Sequence, residues 1–196
     1  PLGGLLGFTT RALLSRFLFK ECKGKVGIGV GVSLKNPQNV EVGKNVLIDD
    51  YASLLCRDNG LITLDDLCVI GRYSILSAKG AEIILKKGVN ISSFCRVATE
   101  TRVEIGESTL IAAYSYIGPS NHQLISDRAK AVELPTEKKG GVKIGSFVWI
   151  GAHTTVLDGV SIGEGSVIGA HSLVLEDIPP FSVAVGAPAK VVKQLK

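Results

Sequence analysis

The sequence lacks methionine entirely, and aromatic residues make up only 6% of its 196 residues. The missing methionine, including at position 1, leads us to expect a truncated or processed form of the protein. No apolar run reaches the roughly 20 residues that a membrane-spanning helix needs. A signal peptide with a cleavage site is also missing, so we expect neither a transmembrane nor an exported protein.

Paired cysteines and strong basic patches are absent too. The four cysteines form no Cys-x-x-Cys pair and no Cys/His zinc spacing. Isolated thiols are typical of a reducing compartment, so we expect a cytoplasmic protein. The net charge is +4, without the concentrated Lys/Arg patches that nucleic-acid binding requires. We therefore expect no nucleic-acid partner, although the charge is compatible with an anionic ligand.

The sequence contains instead a repeat of six residues. From Val42 onward an aliphatic residue occupies the first position of all eighteen hexapeptides. An amphipathic helix has a period of about 3.6 and a half-buried strand a period of 2, so neither fits. A short strand followed by a tight corner does fit, and three hexapeptides then close one triangular coil. The first positions are Val42, Ile48, Leu54, Leu64, Ile70, Leu76, Leu85, Ile91, Val97, Ile105, Ile111, Ile117, Ile144, Ile150, Val156, Ile162, Ile168 and Val174.

The repeat predicts a solenoid with an aliphatic interior. First-position side chains stack inside the prism, and the small or β-branched fifth positions fit where the wall turns inward. Cys68 and Cys95 occupy fifth positions, where a buried thiol acts as a small hydrophobe. We expect a partial first coil over residues 26–41, followed by six full coils. Stacking at ~4.8 Å per coil gives a length of roughly 30 Å.

Insertions interrupt the repeat between coils. Successive coils start 22, 21, 20, 39 and 18 residues apart, whereas an uninterrupted coil needs 18. All extra residues can be placed after the third hexapeptide of a coil, so every insertion leaves the prism at one edge. The largest insertion, 21 residues (123–143), directly follows His122.

The two ends of the chain are expected to lie outside the solenoid. Residues 1–22 carry Leu13, Leu14, Phe17 and Leu18 near helical spacing with basic residues between them, which predicts an amphipathic helix. Such a helix would cap the solenoid or pack on a partner subunit, or it would lie on the inner face of a membrane. The predicted segments are the cap (1–22), the β-helix domain (23–185) with its inserted loop (123–143), and a C-terminal tail (186–196).

Residues 144–193, IGSFVWIGAHTTVLDGVSIGEGSVIGAHSLVLEDIPPFSVAVGAPAKVVK, resemble the hexapeptide-repeat acyltransferases. The similarity is closest to acetyl-CoA-dependent O-acetyltransferases of the galactoside, maltose, xenobiotic and polysaccharide-modifying types. The resemblance implies an all-β fold, a left-handed parallel β-helix, assembled as a homotrimer with active sites between subunits. It also implies direct transfer of acetyl from acetyl-CoA to a hydroxyl of a sugar or surface polysaccharide, with no metal. The inserted loop would then cover a neighbouring subunit and form one wall of the acceptor site.

The resemblance assigns roles to single residues. His122 matches the general base, and its unperturbed pKa of about 6.5 suits that role near neutral pH. The imidazole would be oriented by Asn121, Asp127, a backbone carbonyl or a partner's residue. The backbone amide of Ala152 matches the oxyanion donor. The matching acetyl-CoA site consists of Trp149 beside the cleft, Gly151, Ala152 and Ala170 along the pantetheine, and Lys190 and Lys193 near the 3′-phosphate.

Other interpretations of the same residues stay open. His153 and His171, 18 residues apart, are expected to stack on one outer corner as exposed neighbours. Glu176 stands where relatives often have a lysine that helps to hold CoA. N-acetylation of an amino sugar or nucleotide sugar would use the same base and thioester. The remaining alternatives are a zinc-dependent γ-class carbonic anhydrase, whose histidine spacing differs, and a non-catalytic β-helix scaffold.

Overall fold

The computed structural model describes residues 4–15, 17–118, 121–122 and 134–196, and for residues 5, 6, 8, 15, 121 and 122 it describes the backbone only. One α-helix, α1 (Gly4–Ser15), precedes a series of short strands. Within the described ranges, no helix is long and apolar enough to span a bilayer.

The strands follow one another in threes, and each three form one coil. Coils 1 to 3 consist of β1 (Glu21–Cys22), β2 (Val26–Ile28), β3 (Ser33–Lys35); β4 (Val40–Val42), β5 (Val46–Ile48), β6 (Ser53–Arg57); and β7 (Leu61–Leu64), β8 (Val69–Ile70), β9 (Ile75–Lys79), with a 3-10 turn at Pro37–Asn39. Coils 4 and 5 consist of β10 (Glu82–Leu85), β11 (Asn90–Ile91), β12 (Arg96–Thr99); and β13 (Arg102–Ile105), β14 (Leu110–Ile111), β15 (Tyr116–Ile117).

An extra pair of strands, β16 (Asn121–His122) and β17 (Thr136–Glu137), lies between coils 5 and 6. Coils 6 and 7 consist of β18 (Val142–Ile144), β19 (Trp149–Ile150), β20 (Thr155–Val156); and β21 (Ser161–Ile162), β22 (Val167–Ile168), β23 (Leu173–Val174). The chain continues through β24 (Ser182–Val185) and β25 (Lys190–Gln194).

Three parallel sheets form the faces of the prism. Sheet A contains the first strand of every coil, sheet B the second and sheet C the third. Sheet B is extended by β24 and then by the antiparallel β25. We call the connection from sheet B to sheet C corner BC, and the connection from sheet C to the next sheet A strand corner CA. The predicted all-β solenoid with one helix and one long insertion is therefore confirmed.

The interior of the prism is aliphatic, as the repeat predicts. All eighteen first-position residues, from Val42 to Val174, are at most 2% exposed. Some buried fifth positions carry valine or alanine, whereas at others a serine or threonine hydroxyl donates to the second-position carbonyl one coil further on. Thr109 Oγ1 donates to Gly145 (2.8 Å) and Ser115 Oγ to Gly151 (3.2 Å). No buried side-chain oxygen or nitrogen among the described residues lacks a hydrogen-bond partner, so the corners impose no desolvation penalty.

The insertions leave the solenoid at one edge, as predicted. Strands β6 and β9 run for five residues and β12 for four, whereas β15, β20 and β23 have two each. The additional residues of coils 2 to 4 thus extend sheet C towards corner CA. The long insertion after coil 5 leaves at the same corner.

The two ends of the solenoid differ from the expected arrangement. Coil 1 is complete rather than partial, because β1 at Glu21–Cys22 pairs with β4. Its first strand lies inside the segment that we assigned to the cap (1–22). Strand β25 lies inside the predicted tail (186–196), since the chain turns back at Gly186 (φ 103°) and pairs with β24. The division into domains otherwise stays a prediction.

Helix α1 packs against the start of sheet B. Its Arg11 Nε–H donates to the carbonyl of Ile28 (2.9 Å), which ties the helix to coil 1. Leu13 and Leu14 in the helix, and Phe17 and Leu18 after it, are more than half exposed in the single chain. The helix therefore covers part of the first coil but leaves an apolar surface open.

Corner BC carries a continuous stack of aromatic rings. His153 and His171 stack with ring centroids 4.7 Å apart, which confirms their predicted position on one outer corner. The other rings, Tyr51, Tyr73, Phe94 and Tyr114, were not anticipated; they extend the stack at centroid spacings of 4.8 to 5.0 Å. Because each ring face is covered by the next ring, only the ring edges meet solvent.

Candidate active site

The predicted base lies in a short hairpin at corner CA. Strands β16 and β17 pair antiparallel, with His122 opposite Thr136 and Asn121 opposite Glu137. The two ends of the long insertion thus meet directly after coil 5. The side chains of Asn121 and His122, and Asp127 as a whole, lie outside the described residues. Their assigned roles therefore stay predictions.

The hairpin is tied to the neighbouring coil through Glu100. The Thr136 hydroxyl donates to Glu100 Oε2 (3.0 Å), and Lys79 Nζ donates to Glu100 Oε1 (2.9 Å). The hydrogen bond from Lys79, followed by that from Thr136, holds the pKa of Glu100 below its ordinary value. The carboxylate is thus ionised at neutral pH and links the hairpin to sheet C.

A second carboxylate, Asp158, fixes the returning end of the insertion. It is 6% exposed and accepts three hydrogen bonds. The donors are the backbone amides of Lys139 (2.6 Å) and Gly141 (2.7 Å) and the hydroxyl of Thr101 (3.0 Å). This arrangement holds the chain where it re-enters sheet A at β18.

The residues expected along the acetyl-CoA lie elsewhere, on sheet B and corner BC of coils 6 and 7. Trp149 projects from sheet B and is 54% exposed, as a residue bordering a cleft must be. The amide of Ala152 donates no hydrogen bond to any residue that the structure describes, so it is available to an oxyanion. Ala170 lies one coil further on at the same corner and is exposed.

Gly151 has a structural reason to be glycine. It is buried, and a Cβ built there would lie 2.5 Å from the amide nitrogen of Ala170. A side chain at this position would therefore separate coils 6 and 7. The identity of residue 151 follows from coil stacking and is not by itself a sign of a bound pantetheine.

The two lysines near the C-terminus differ in their surroundings. Lys190 Nζ forms an ion pair with Glu176 (2.9 Å), and both side chains are largely exposed. Lys193 pairs in register with Val183 and is exposed, with no ion pair to another described residue. Glu176, the departure from the expected lysine, thus already pairs with Lys190, whereas the charge of Lys193 is not offset by a described carboxylate.

The structure brings the cofactor candidates together but separates them from the base. Trp149, Ala152 and Ala170 share one surface, and β25 extends the same sheet. His122 lies at corner CA, which is a different edge of the prism. Within one chain the two groups therefore lie on different edges of the prism.

The sequence did not point to three further features near the site. Asp158 and Glu100 had no motif, although the Asp-Gly pair at 158–159 is a turn signal between coils 6 and 7, where Asp158 accepts from the returning end of the insertion. The exposed Arg57 and Arg96, on the outer surface of sheet C, also carried no signal, because their proximity arises only from coil stacking. Within the described part of the chain, no three His, Cys, Asp or Glu side chains form a group that could hold a metal ion.

Comparison with known proteins gives the family. Residues 141–176 match the family model for "Bacterial transferase hexapeptide (six repeats)". "Putative lipopolysaccharide biosynthesis O-acetyl transferase WbbJ" of Escherichia coli is 34% identical over 70% of this chain and 74% of that protein. The chain belongs to the hexapeptide-repeat acyltransferases. The predicted fold family and the predicted enzyme class, acyltransferase, are thereby confirmed.

Further relatives of the enzyme differ in acceptor and in length. The dTDP-4-amino-4,6-dideoxy-D-glucose acyltransferase of Escherichia coli is 32% identical over 90% of this chain and 82% of that protein. "Probable acetyltransferase Rv3034c" of Mycobacterium tuberculosis is 33% identical over 87% of this chain. The chain spans half the length of this last relative.

Solved structures agree with these relatives. The polySia-specific acetyltransferase NeuO superposes with a TM-score of 0.64 at 28% identity, covering 88% of this chain and 84% of NeuO. A variant of AntD, an N-acyltransferase from Bacillus cereus, in complex with dTDP and coenzyme A, superposes with a TM-score of 0.62 at 26% identity. This match covers 94% of this chain and 88% of AntD.

Proposed function

We propose that the enzyme transfers an acetyl group from acetyl-CoA to a hydroxyl of a sugar, in a surface polysaccharide or its precursor. The observation that carries the proposal is the hairpin β16–β17, which holds the backbone of His122 at corner CA beside an exposed surface of sheet C. Membership in the acyltransferase family and the free amide of Ala152 support it further.

The chemistry needs a base and an oxyanion donor. In the proposed mechanism the imidazole of His122 takes the proton of the acceptor hydroxyl, and the hydroxyl oxygen attacks the thioester carbonyl carbon. The Ala152 amide donates to the resulting oxyanion. Collapse of the tetrahedral intermediate breaks the carbon–sulfur bond, and the CoA thiolate leaves with the proton from the imidazolium.

We propose that the site is completed between subunits of a homotrimer. The separation of His122 from Trp149 and Ala152 supports this, because each chain offers its base at one edge and its cofactor surface at another. The inserted loop is proposed to cover the neighbouring subunit and to form one wall of the acceptor site. Lys193, with Lys190, is proposed to contact the 3′-phosphate of CoA.

The test of the base is an acceptor screen with acetyl-CoA. We expect wild-type protein to add one acetyl group to a sugar, detected by mass spectrometry, and His122→Ala to lower turnover by about two or more orders of magnitude. Acetyl-CoA binding, measured by calorimetry, should survive. The control His153→Asn removes a histidine from the ring stack with a residue that tolerates positive φ, and it should retain activity. Unchanged turnover in His122→Ala would reject His122 as the base.

N-acetylation of an amino sugar is the second candidate, favoured by the relative that acylates a dTDP-4-amino sugar. The linkage decides between them, because hydroxylamine cleaves an ester but leaves an amide intact. A product that resists hydroxylamine supports the second candidate. Absence of acetyl-CoA binding would instead support a non-catalytic scaffold.

We further propose that the enzyme acts in the cytoplasm, and that α1 with its following residues contacts either a partner subunit or the inner membrane face. The exposed Leu13, Leu14, Phe17 and Leu18 support such a contact. Co-sedimentation with anionic phospholipid vesicles distinguishes the two, since only a membrane contact pellets the protein.

A further inference from the structure

A groove runs along the outer surface of sheet C, from coil 2 to coil 5. Its floor consists of small residues of successive coils: Ser77, Ala98 and Gly118. Ser77 and Ala98 are register partners on neighbouring strands. A Cβ on Gly118 would lie 2.7 Å from the carbonyl oxygen of Ala98, so a larger residue does not fit there. The groove encloses about 320 Å³.

Cations line both sides of this groove. Arg57 and Lys79, register partners at the ends of β6 and β9, form one side, and Arg96 at the start of β12 forms the other. Two like charges directly opposite each other on neighbouring strands destabilise a sheet. An anion bound beside Arg57 would therefore offset the repulsion that Glu100, paired with Lys79, leaves uncompensated.

The charges of the groove are only partly balanced within the chain. Glu100 is its one described carboxylate, and it is already paired with Lys79 (2.9 Å). Arg57 and Arg96 are exposed, and neither forms an ion pair or a side-chain hydrogen bond with another described residue. Two guanidinium groups, which suit bidentate contacts to phosphate or carboxylate, are thus available.

The groove leads to the hairpin that carries the proposed base. Thr136 lines the groove and lies opposite His122 in the β16–β17 register. Gly118, at the end of the floor, precedes His122 by four residues. Arg57 in coil 2 and Gly118 in coil 5 are three coil spacings apart, roughly 14 Å. A charged group at the far end of the groove would therefore lie well away from a hydroxyl at His122.

We propose that this groove binds an anionic acceptor: a sugar whose phosphate or carboxylate groups contact Arg57 and Arg96 while its hydroxyl reaches His122. The inference rests on the proposed acetyltransferase function and adds to it the charge of the acceptor and the residues that recognise it. The acetyl-CoA candidates lie on sheet B, so the groove on sheet C is not the cofactor surface of the same chain.

The test is direct binding, which does not depend on turnover. Calorimetry on the intact protein would compare dTDP-glucose and trigalacturonate with the neutral sugars glucose and maltotriose. We expect at least one anionic probe to bind about tenfold or more tightly than the neutral sugars, with an affinity that falls as salt is added. Preference for dTDP-glucose identifies phosphate, and preference for trigalacturonate identifies carboxylate. Equal binding of all four probes overturns the proposal.

Arg57→Gln and Arg96→Gln should each weaken binding of the anionic probe about tenfold and leave acetyl-CoA binding unchanged. Lys87→Gln, an exposed cation at the corner between sheets A and B of coil 4, is the matched control and should have no effect. Loss of acetyl-CoA affinity, or of the oligomeric mass by light scattering, in the arginine variants overturns the proposal, because the groove is then a cofactor site or a subunit contact.

The outcomes for the groove and for the function are separate. Anion binding that depends on Arg57 and Arg96, without acetyl transfer to any acceptor, supports the groove and rejects the proposed function. Acetyl transfer to neutral sugars that is unaffected by both variants supports the function and rejects the groove.

Discussion

Several buried fifth-position residues make the same hydrogen bond to the next coil. Cys68 and Cys95 occupy fifth positions and approach the carbonyl oxygens of Lys86 and Ala112 at 3.2 Å, which are second positions one coil further on. Serine and threonine make the same contact elsewhere, as Thr109 does to Gly145. The thiols therefore replace hydroxyls in a structural contact, in agreement with their predicted role as small buried groups.

The buried thiols should be unreactive in the folded protein. Burial raises the pKa of Cys56 to about 11 and that of Cys68 to about 12, and it also raises the pKa of Cys95. Only the thiolate reacts with disulfide reagents. We expect a disulfide reagent at pH 8 to modify the partly exposed Cys22 quickly and the other three only after denaturation. Rapid reaction of all four thiols in the native protein would contradict the described core.

Glu100 should make the hairpin sensitive to acid. Its folded-state pKa is lowered by Lys79 and Thr136, so its stabilising effect is present above the ordinary carboxyl pKa of about 4.3 and is lost as pH falls through the folded value. We expect Glu100→Gln to melt below the wild type at pH 7, with the difference lost as pH falls through the lowered pKa of Glu100. The thermal midpoint measured across pH 3 to 7 tests this. If the difference in thermal midpoint grew towards acid pH, the ionised form of Glu100 would not be the stabilising one, and the prediction would be wrong.

At the scale of elements, the inserted hairpin depends on coils that are distant in sequence. Thr136 donates to Glu100, which follows the last strand of coil 4, and the amides of Lys139 and Gly141 donate to Asp158 at the end of coil 6. The returning end of the insertion is thus held by a coil before it in the sequence and by a coil after it. A loop held in this way can present a catalytic residue with a defined position.

Removal of the Asp158 carboxylate should loosen the hairpin. Asp158→Ala leaves the backbone amides of Lys139 and Gly141 without an acceptor, which costs about 1–3 kcal/mol for each amide that water cannot reach. We expect faster amide hydrogen exchange in residues 134–141 and lower turnover, with acetyl-CoA affinity unchanged. Asp158→Asn keeps one acceptor oxygen, so its exchange rate and its turnover should lie between those of the wild type and of Asp158→Ala. Unchanged exchange in Asp158→Ala would show that the anchor is not needed.

At the scale of the whole molecule, the stacking of seven coils places the proposed base and the cofactor candidates on different edges. Strand β16 follows sheet C, whereas Trp149 and Ala152 belong to sheet B and corner BC. The proposed roles of these residues therefore predict that two copies of the chain contribute to one site.

Mixed assemblies test whether two copies share a site. His122→Ala and Trp149→Ala should each be inactive alone. When they are refolded together in equal amounts, about a quarter of the interfaces in a cyclic homotrimer combine an intact His122 with an intact Trp149. We expect a corresponding fraction of wild-type turnover in an acetyl-transfer assay. Mixed assemblies verified by native mass spectrometry but without recovered activity would contradict a shared site.

The sequence by itself determined the solenoid, because a six-residue period fits a short strand followed by a corner and fits neither a helix nor a simple strand. Its aliphatic first positions then form the interior. It also located the break after His122 and the common corner of His153 and His171, since both follow from counting residues within coils. These features follow the repeat, and a repeat can be recognised in the sequence without a structure.

Only the tertiary structure decided which distant residues meet. The anchoring of the insertion by Asp158 and Glu100 and the cationic groove of Arg57, Lys79 and Arg96 join positions from different coils, whose offset depends on the irregular insertions at corner CA. The pairing of β25 with β24 likewise depends on a turn rather than on the repeat. Which residues of neighbouring coils touch is set by the register in which their strands pair. The six-residue period alone does not specify which outward-facing side chains become neighbours.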